Sequence, residues 1–197
     1  MDDPLLREQT PVEYFRDLIE SALARQHLRA TELTSYYLVD LLCRFMRPDR
    51  RIPFNDDSNA PLALRLARAL ESGGMEQRAR LRNLGDFSLF TSGYFSDSLR
   101  RRVVDVDYYV SMGEYAYASL GRRDEDAFGD VFAELARKFV AFSDVLSDVS
   151  EQTGTAGSTD VLRLYEKWLR SGSPRDGQRL ADRGIAPNLS IGKKFIQ

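Results

Sequence analysis

The stretch FGDVFAELARKFVAFSDVLSDV, residues 128–149, decides how this chain must fold. Its apolar residues Phe128, Val131, Phe132, Leu135, Phe139, Phe142, Leu146 and Val149 recur at steps of three and four. Wound at about 100° per residue they fall on one narrow stripe, opposite Asp130, Arg137, Asp144 and Asp148. A strand has period two and would scatter those side chains over both of its faces, so the segment is an amphipathic helix with one wet side. The predicted helix runs from Asp124 to about Gln152.

Working outward, the punctuation stays helical. In TPVE, residues 10–13, Thr10 is an N-cap, Pro11 takes the first helical position and Glu13 can close a capping box. That helix is expected to reach about Arg29, and a second to begin near Thr31 and stop before Pro48. The polar run PDRRIPFNDDSNAP, residues 48–61, is a loop, after which Pro61 opens a short helix ending at Gly73 and Gly74. Two longer helices are expected at about Met75–Ser92 and Asp97–Leu120. Downstream of residue 149, GTAGST is a connector, Ser158 or Thr159 caps a helix carrying Leu162, Tyr165, Trp168 and Leu169, and Ser173–Pro174 opens a last one that stops at Gly184.

No segment alternates between hairpin turns. The expected fold is all-α, a single compact bundle of about seven helices over residues 10–184, with an N-terminal arm (1–9) and a C-terminal tail (185–197). SYYLVDLLCRFM, residues 35–46, is apolar nearly all round and belongs at the centre of the bundle. Its two charges, Asp40 and Arg44, stand four apart, the spacing of a helical ion pair.

The charge balance of 28 basic against 30 acidic residues argues against a nucleic-acid binder, which carries a basic domain. Cys43 is the sole cysteine, so no intramolecular disulfide forms. The opening MDDPLLREQTPVEYF has neither the positive nor the apolar region of a signal peptide, and no run approaches the 18 apolar residues of a membrane span. A cytoplasmic address is expected. Four of the 28 basic residues are lysines, so 24 are arginines, a bias that points to a GC-rich bacterial coding sequence.

Two stretches echo each other: GDFSLFTSG (85–93) and GEYAYASLG (113–121) share glycine, acid, aromatic, hydroxyl and glycine at an offset of 28. Gly93 and Gly121 stand where helices should stop and are expected as left-handed C-terminal residues. Gly85 and Gly113 lie inside helical pattern, where each costs about 1 kcal/mol relative to alanine, and a close approach of another helix or of a ligand would explain them. Asp86 can pair with Arg82 one turn earlier; Asp107 and Glu114 have no base at three or four residues on either side. With Ser111 they form a polar stripe on an otherwise aromatic and aliphatic helix. That stripe either faces solvent or lines a pocket whose walls would be Tyr108, Tyr115, Tyr117, Phe87 and Phe90.

Chemistry-bearing motifs are missing. There is no phosphate-binding glycine loop, no CxxC, no nucleophile elbow and no Glu-x-x-His pair, so no catalytic residue, metal site or cofactor is assigned. The single histidine, His27, is a helix C-terminal charge or an axial ligand reaching a pocket. Arginine clusters at 78/80/82, 100–102 and 122/123 are expected to be a salt-bridged surface. The functional expectation is a non-enzymatic protein that works through a protein partner or self-association, homodimerisation included. The alternative is a small-molecule-binding bundle, an enzyme if the pocket is catalytic, polarised by Asp107 and Glu114.

Overall fold

The computed structural model describes residues 10–46, 60–96, 106–123, 127–153, 180–181 and 185. Among them are seven helices and no strand: α1 (Pro11–Arg25), α2 (Glu32–Met46), α3 (Leu62–Glu71), α4 (Gly74–Tyr94), α5 (Val106–Gly121), α6 (Ala127–Arg137) and α7 (Phe139–Gln152). The loop expected at 48–61, the helix expected after residue 158 and the Arg100–Arg102 cluster lie largely or wholly outside the described residues. So do the arm, most of the last predicted helix and most of the tail.

The capping box that opens α1 forms as the sequence dictates. The Glu13 amide donates to Thr10 Oγ1 at 3.3 Å and the Thr10 amide donates to Glu13 Oε2 at 2.9 Å. The other end of α1 departs from expectation: the helix stops at Arg25 rather than near Arg29. His27 adopts φ 51°, the Leu28 amide donates to the Leu23 carbonyl (3.0 Å) and the His27 amide to the Ala24 carbonyl (3.2 Å). This is a Schellman closure, with Leu28 packed against the core that contains Leu23, and it places a histidine where glycine is the unstrained choice.

Residues 128–149 form two rods instead of one. Lys138, at φ −114° and ψ 24°, separates α6 from α7. The physical reason is what each half packs on: α6 lies on α5 and α2, whereas α7 lies on α4 and α1, and a straight rod cannot follow both. Lys138 Nζ holds the corner by donating to the Arg29 carbonyl (2.7 Å) and to Glu134 Oε1 (2.8 Å). Seven of the eight stripe residues are buried and Phe128 is half exposed.

α2 is apolar on nearly all sides from Tyr37 to Phe45 and contributes Leu38, Leu41 and Leu42 with no solvent exposure. α4 packs against α2, α3, α5 and α7, so it shares the centre of the bundle with α2. Leu180 and Ile185, both fully buried, join the same core. No helix among the described residues is long and apolar enough to cross a membrane.

Candidate functional site

The four glycines of the two echoing stretches answer to packing. A Cβ on Gly85 would sit 2.7 Å from the Tyr117 ring, and one on Gly113 would lie 2.3 Å from the Phe139 ring and 2.8 Å from Ser88 Cβ. Gly93 and Gly121 are not left-handed caps. Both are still helical, and a Cβ would meet Leu146 at 2.7 Å in the first case and the Ala133 backbone at 2.8 Å in the second. Helix α4 therefore closes on α5 at Gly85 and Gly113 and on α7 at Gly93, while α5 closes on α7 at Gly113 and on α6 at Gly121.

Burying α4 so deeply puts Asp86 in the core, 1% exposed, and a carboxylate there must find partners. It finds three. The hydroxyls of Tyr37 and Tyr117 donate to Oδ1 at 2.6 and 2.7 Å, and Arg44 Nη1 donates to Oδ2 at 2.8 Å. Arg44 Nε also stands 2.8 Å from Asp40 Oδ2, which confirms the pairing expected inside α2. Arg82 Nε donates to the Tyr37 hydroxyl at 3.0 Å and lies 3.8 Å from Asp86 Oδ2, the predicted helical pair at longer range. The guanidinium carbons of Arg44 and Arg82 lie 5.6 and 5.1 Å from the centre of the Tyr37 ring.

The electrostatics follow from this packing. Burial pushes both phenols up, and the negative charge of Asp86 adds to it, so Tyr37 and Tyr117 stay protonated and remain donors. Burial is the largest influence on the Arg44 charge and works against it, but Asp86, Tyr37 and Asp40 together outweigh it and the guanidinium is held above its ordinary range. The cluster carries two acids and two bases and is closed on its Asp86 side. Its edge is wet: the side chains of Asp40 and Arg82 are 35% and 39% exposed and approach to 3.9 Å. Arg44 Nη2 is buried and has no hydrogen-bond partner among the described residues.

A second buried carboxylate, Glu134, caps α2 from another helix. Thr31 is the N-cap, with the Thr34 amide donating to its hydroxyl at 3.2 Å, but the third helical position holds Thr34 rather than Glu. Glu134 Oε2 takes the vacant role, accepting from the Thr31 amide (3.2 Å) and from the hydroxyls of Thr31 (2.9 Å) and Thr34 (2.7 Å). Burial raises its pKa, yet the bonds from Lys138, Thr34 and Thr31 together outweigh burial and hold the carboxyl at about 2.

The residues singled out from the sequence are distributed rather than gathered. Tyr117 enters the Asp86 cluster; Phe90 stacks on Phe45 (4.4 Å between centroids) and on Tyr94 (5.2 Å) in the core. Phe87 lies beside Tyr109 and under the Arg65 guanidinium, and the Tyr108 hydroxyl accepts the Ala63 amide at 2.9 Å. Asp107, Ser111 and Tyr115 are exposed and Glu114 is half-buried, so the polar stripe of α5 runs along its outer side. His27 is exposed in its helix-terminal turn, which is the reason it reaches no interior pocket. Tyr37 was not singled out. The signal for it was present: α2 and α4 each carry a charge in an apolar setting, and such charges must meet each other and nearby hydroxyls.

Among the described residues no three His, Cys, Asp or Glu side chains converge as a metal site. No family model, curated protein or solved structure matches the chain.

Proposed function

We propose that this protein acts by protein association rather than by catalysis, through the outward face of α2 and α4 beside the Asp40–Arg82 edge. The observation that carries the reading is the exposure of Leu33 (52%), Tyr36 (61%) and Met75 (78%) on the first turns of α2 and α4, on the helix faces that lead to Asp40 and Arg82. Large apolar side chains on the same helix faces as a half-exposed arginine and a carboxylate match the composition of an interface centre, where Tyr and Arg are enriched. The buried interior carboxylates support the same reading, because Asp86 and Glu134 spend their oxygens on helix-to-helix bonds.

The test is site-specific photo-cross-linking in expressing cells. A photo-reactive residue at position 36 should give a discrete protein adduct, and the same residue at Val140, exposed on α7, should not. Equal yields at both positions would remove the reading.

One observation favours a small ligand instead, the unpartnered and buried Arg44 Nη2. A molecule offering one acceptor oxygen at the Asp40–Arg82 edge would complete it, and a thermal-shift screen of small carboxylates, alcohols and amides against wild type and Arg44→Met tests for it.

A further inference from the structure

The α2–α4 pair has a geometry that narrows the partner. Contacts across the pair advance together along both chains: Tyr37 and Asp40 reach Arg82, Tyr37 and Arg44 reach Asp86, and Phe45 reaches Phe90, at separations of 42 to 49 residues. The two helices thus run parallel and side by side. On α2, Leu33, Tyr36 and Asp40 fall within about 60° of arc at 100° per residue, a stripe roughly 10 Å long. On α4, Met75, Ala79 and Arg82 do the same over the same length, and Arg82 is the member that reaches Asp40. Ala79 is exposed, like Met75. Two stripes of equal length therefore run alongside each other, and the Asp40–Arg82 approach ties their C-terminal ends together. Each is apolar at its N-terminal end and charged at its C-terminal end, with opposite signs on the two helices.

Such a patch is complementary to itself under one symmetry operation. A two-fold axis parallel to the helices sets α2 of one copy against α4 of the other at the same level. Leu33 and Tyr36 then face the second copy's Met75 and Ala79, while Asp40 faces the second copy's Arg82, and each contact occurs twice. A two-fold perpendicular to the helices would oppose α2 to α2 and put Asp40 against Leu33, an unpaired charge on an apolar side chain. Within one chain Asp40 is held by Arg44 at 2.8 Å and Arg82 by the Tyr37 hydroxyl at 3.0 Å, and the two approach each other only to 3.9 Å, so the exchanged pairs add to these contacts at the exposed rim. We infer that the partner is a second copy of this chain, docked with parallel helices and reciprocal Asp40–Arg82 pairs. This rests on the protein-association reading above and names its occupant.

Six side chains on stripes about 10 Å long make a small patch beside the roughly 800 Å² per partner of a standard interface, so the dimer should be weak, with Kd in about the micromolar range. Sedimentation equilibrium between about 1 and 300 μM should show a reversible dimer, and Tyr36→Glu and Leu33→Glu should each raise Kd by about tenfold or more. Val140→Glu should leave it unchanged. Both stripe variants act on exposed positions, and helical circular dichroism checks that they remain folded. Orientation is read by mixing Tyr36→Cys and Ala79→Cys chains with a short bismaleimide, Cys43 being buried. The 36–79 heterodimer should form and the 36–36 homodimer should not. Efficient 36–36 linkage, or a dimer indifferent to both glutamate variants, overturns the arrangement. A strict monomer that still gives a discrete position-36 adduct with another protein overturns the two-fold contact and leaves the association reading standing. A strict monomer without that adduct removes both.

Discussion

Replacing Asp86 by asparagine tests the central cluster with the smallest change of shape. The amide oxygen can still accept from Tyr37 and Tyr117, as Oδ1 does now at 2.6 and 2.7 Å. The amide nitrogen, however, points a donor at Arg44 Nη1, which sits 2.8 Å from Oδ2. Donor then meets donor, and the Arg44 guanidinium, 15% exposed, keeps only Asp40 as a counter-charge. Breaking one side of a buried ion pair costs about 3–5 kcal/mol, against about 5–15 kcal/mol of total stability for a domain. The expected loss for Asp86→Asn is therefore about 3 kcal/mol or more, measured by urea unfolding followed by circular dichroism. The mechanism also fixes a double-mutant cycle. Arg44→Met removes the stranded charge, so Asp86→Asn with Arg44→Met should be less destabilised than the sum of the singles by about 2 kcal/mol. Additive losses, or a loss below about 1 kcal/mol for Asp86→Asn, would show that Asp86 and Arg44 are not a coupled buried pair.

Three further outcomes follow from separate features. Glu134 has a folded pKa of about 2, below its unfolded value near 4.5, so its contribution is complete above about pH 4.5 and is lost as pH falls toward 2. That contribution is about 2–3 kcal/mol, and acid titration of the unfolding free energy should show the slope in wild type and a reduced one in Glu134→Gln. At His27, φ 51° strains any residue with a Cβ, so His27→Gly should stabilise by about 0.5–1 kcal/mol and His27→Val should destabilise, read as shifts in Tm. Gly113→Ala gains about 1 kcal/mol of helix propensity but drives a methyl to 2.3 Å from the Phe139 ring, so a net loss of about 2 kcal/mol or more is expected in the same unfolding assay.

What could be foreseen divides along physical lines. Helix identity and the α1 capping box rest on local spacing, and Thr10, Pro11 and Glu13 carry them without help from the rest of the chain. The centrality of α2 was legible because an apolar surface on all sides has nowhere else to go. The bend at Lys138 was not, because both halves keep the helical period and only the positions of α1, α2, α4 and α5 demand a corner. The left-handed His27 was missed because glycine usually marks that position. The stripe of Asp107, Ser111 and Glu114 shows the converse limit: a period says that residues share a face, and the neighbouring helices decide which way the face looks.

The echo between residues 85–93 and 113–121 illustrates how a tertiary relation can imprint itself on a sequence. Gly85 receives Tyr117 and Gly113 receives Ser88, so as α4 advances by three residues α5 retreats by four and the helices cross antiparallel. Each glycine thus lies opposite the residue three or four positions into the other stretch, an arrangement with a local two-fold character. The two glycines are filled differently, however: Tyr117 of α5 fills the space over Gly85, whereas over Gly113 the Phe139 ring of α7 comes first and Ser88 Cβ second. The crossing therefore accounts for the glycine at the head of each stretch and not for the shared acid, aromatic and hydroxyl positions. The likeness ends where the surroundings differ. Asp86 turns toward α2, whose Tyr37 and Arg44 satisfy it, whereas Glu114, at the same place in its own stretch, is only half-buried on the outer helix. The environment of the second helix therefore sets the meaning of the acid, and a Glu114→Ala change should leave stability within about 0.5 kcal/mol of wild type, as a surface substitution does. A loss there of the size expected for Asp86→Asn would mean that α5 buries its acid as α4 does, and the asymmetry of the crossing would be wrong.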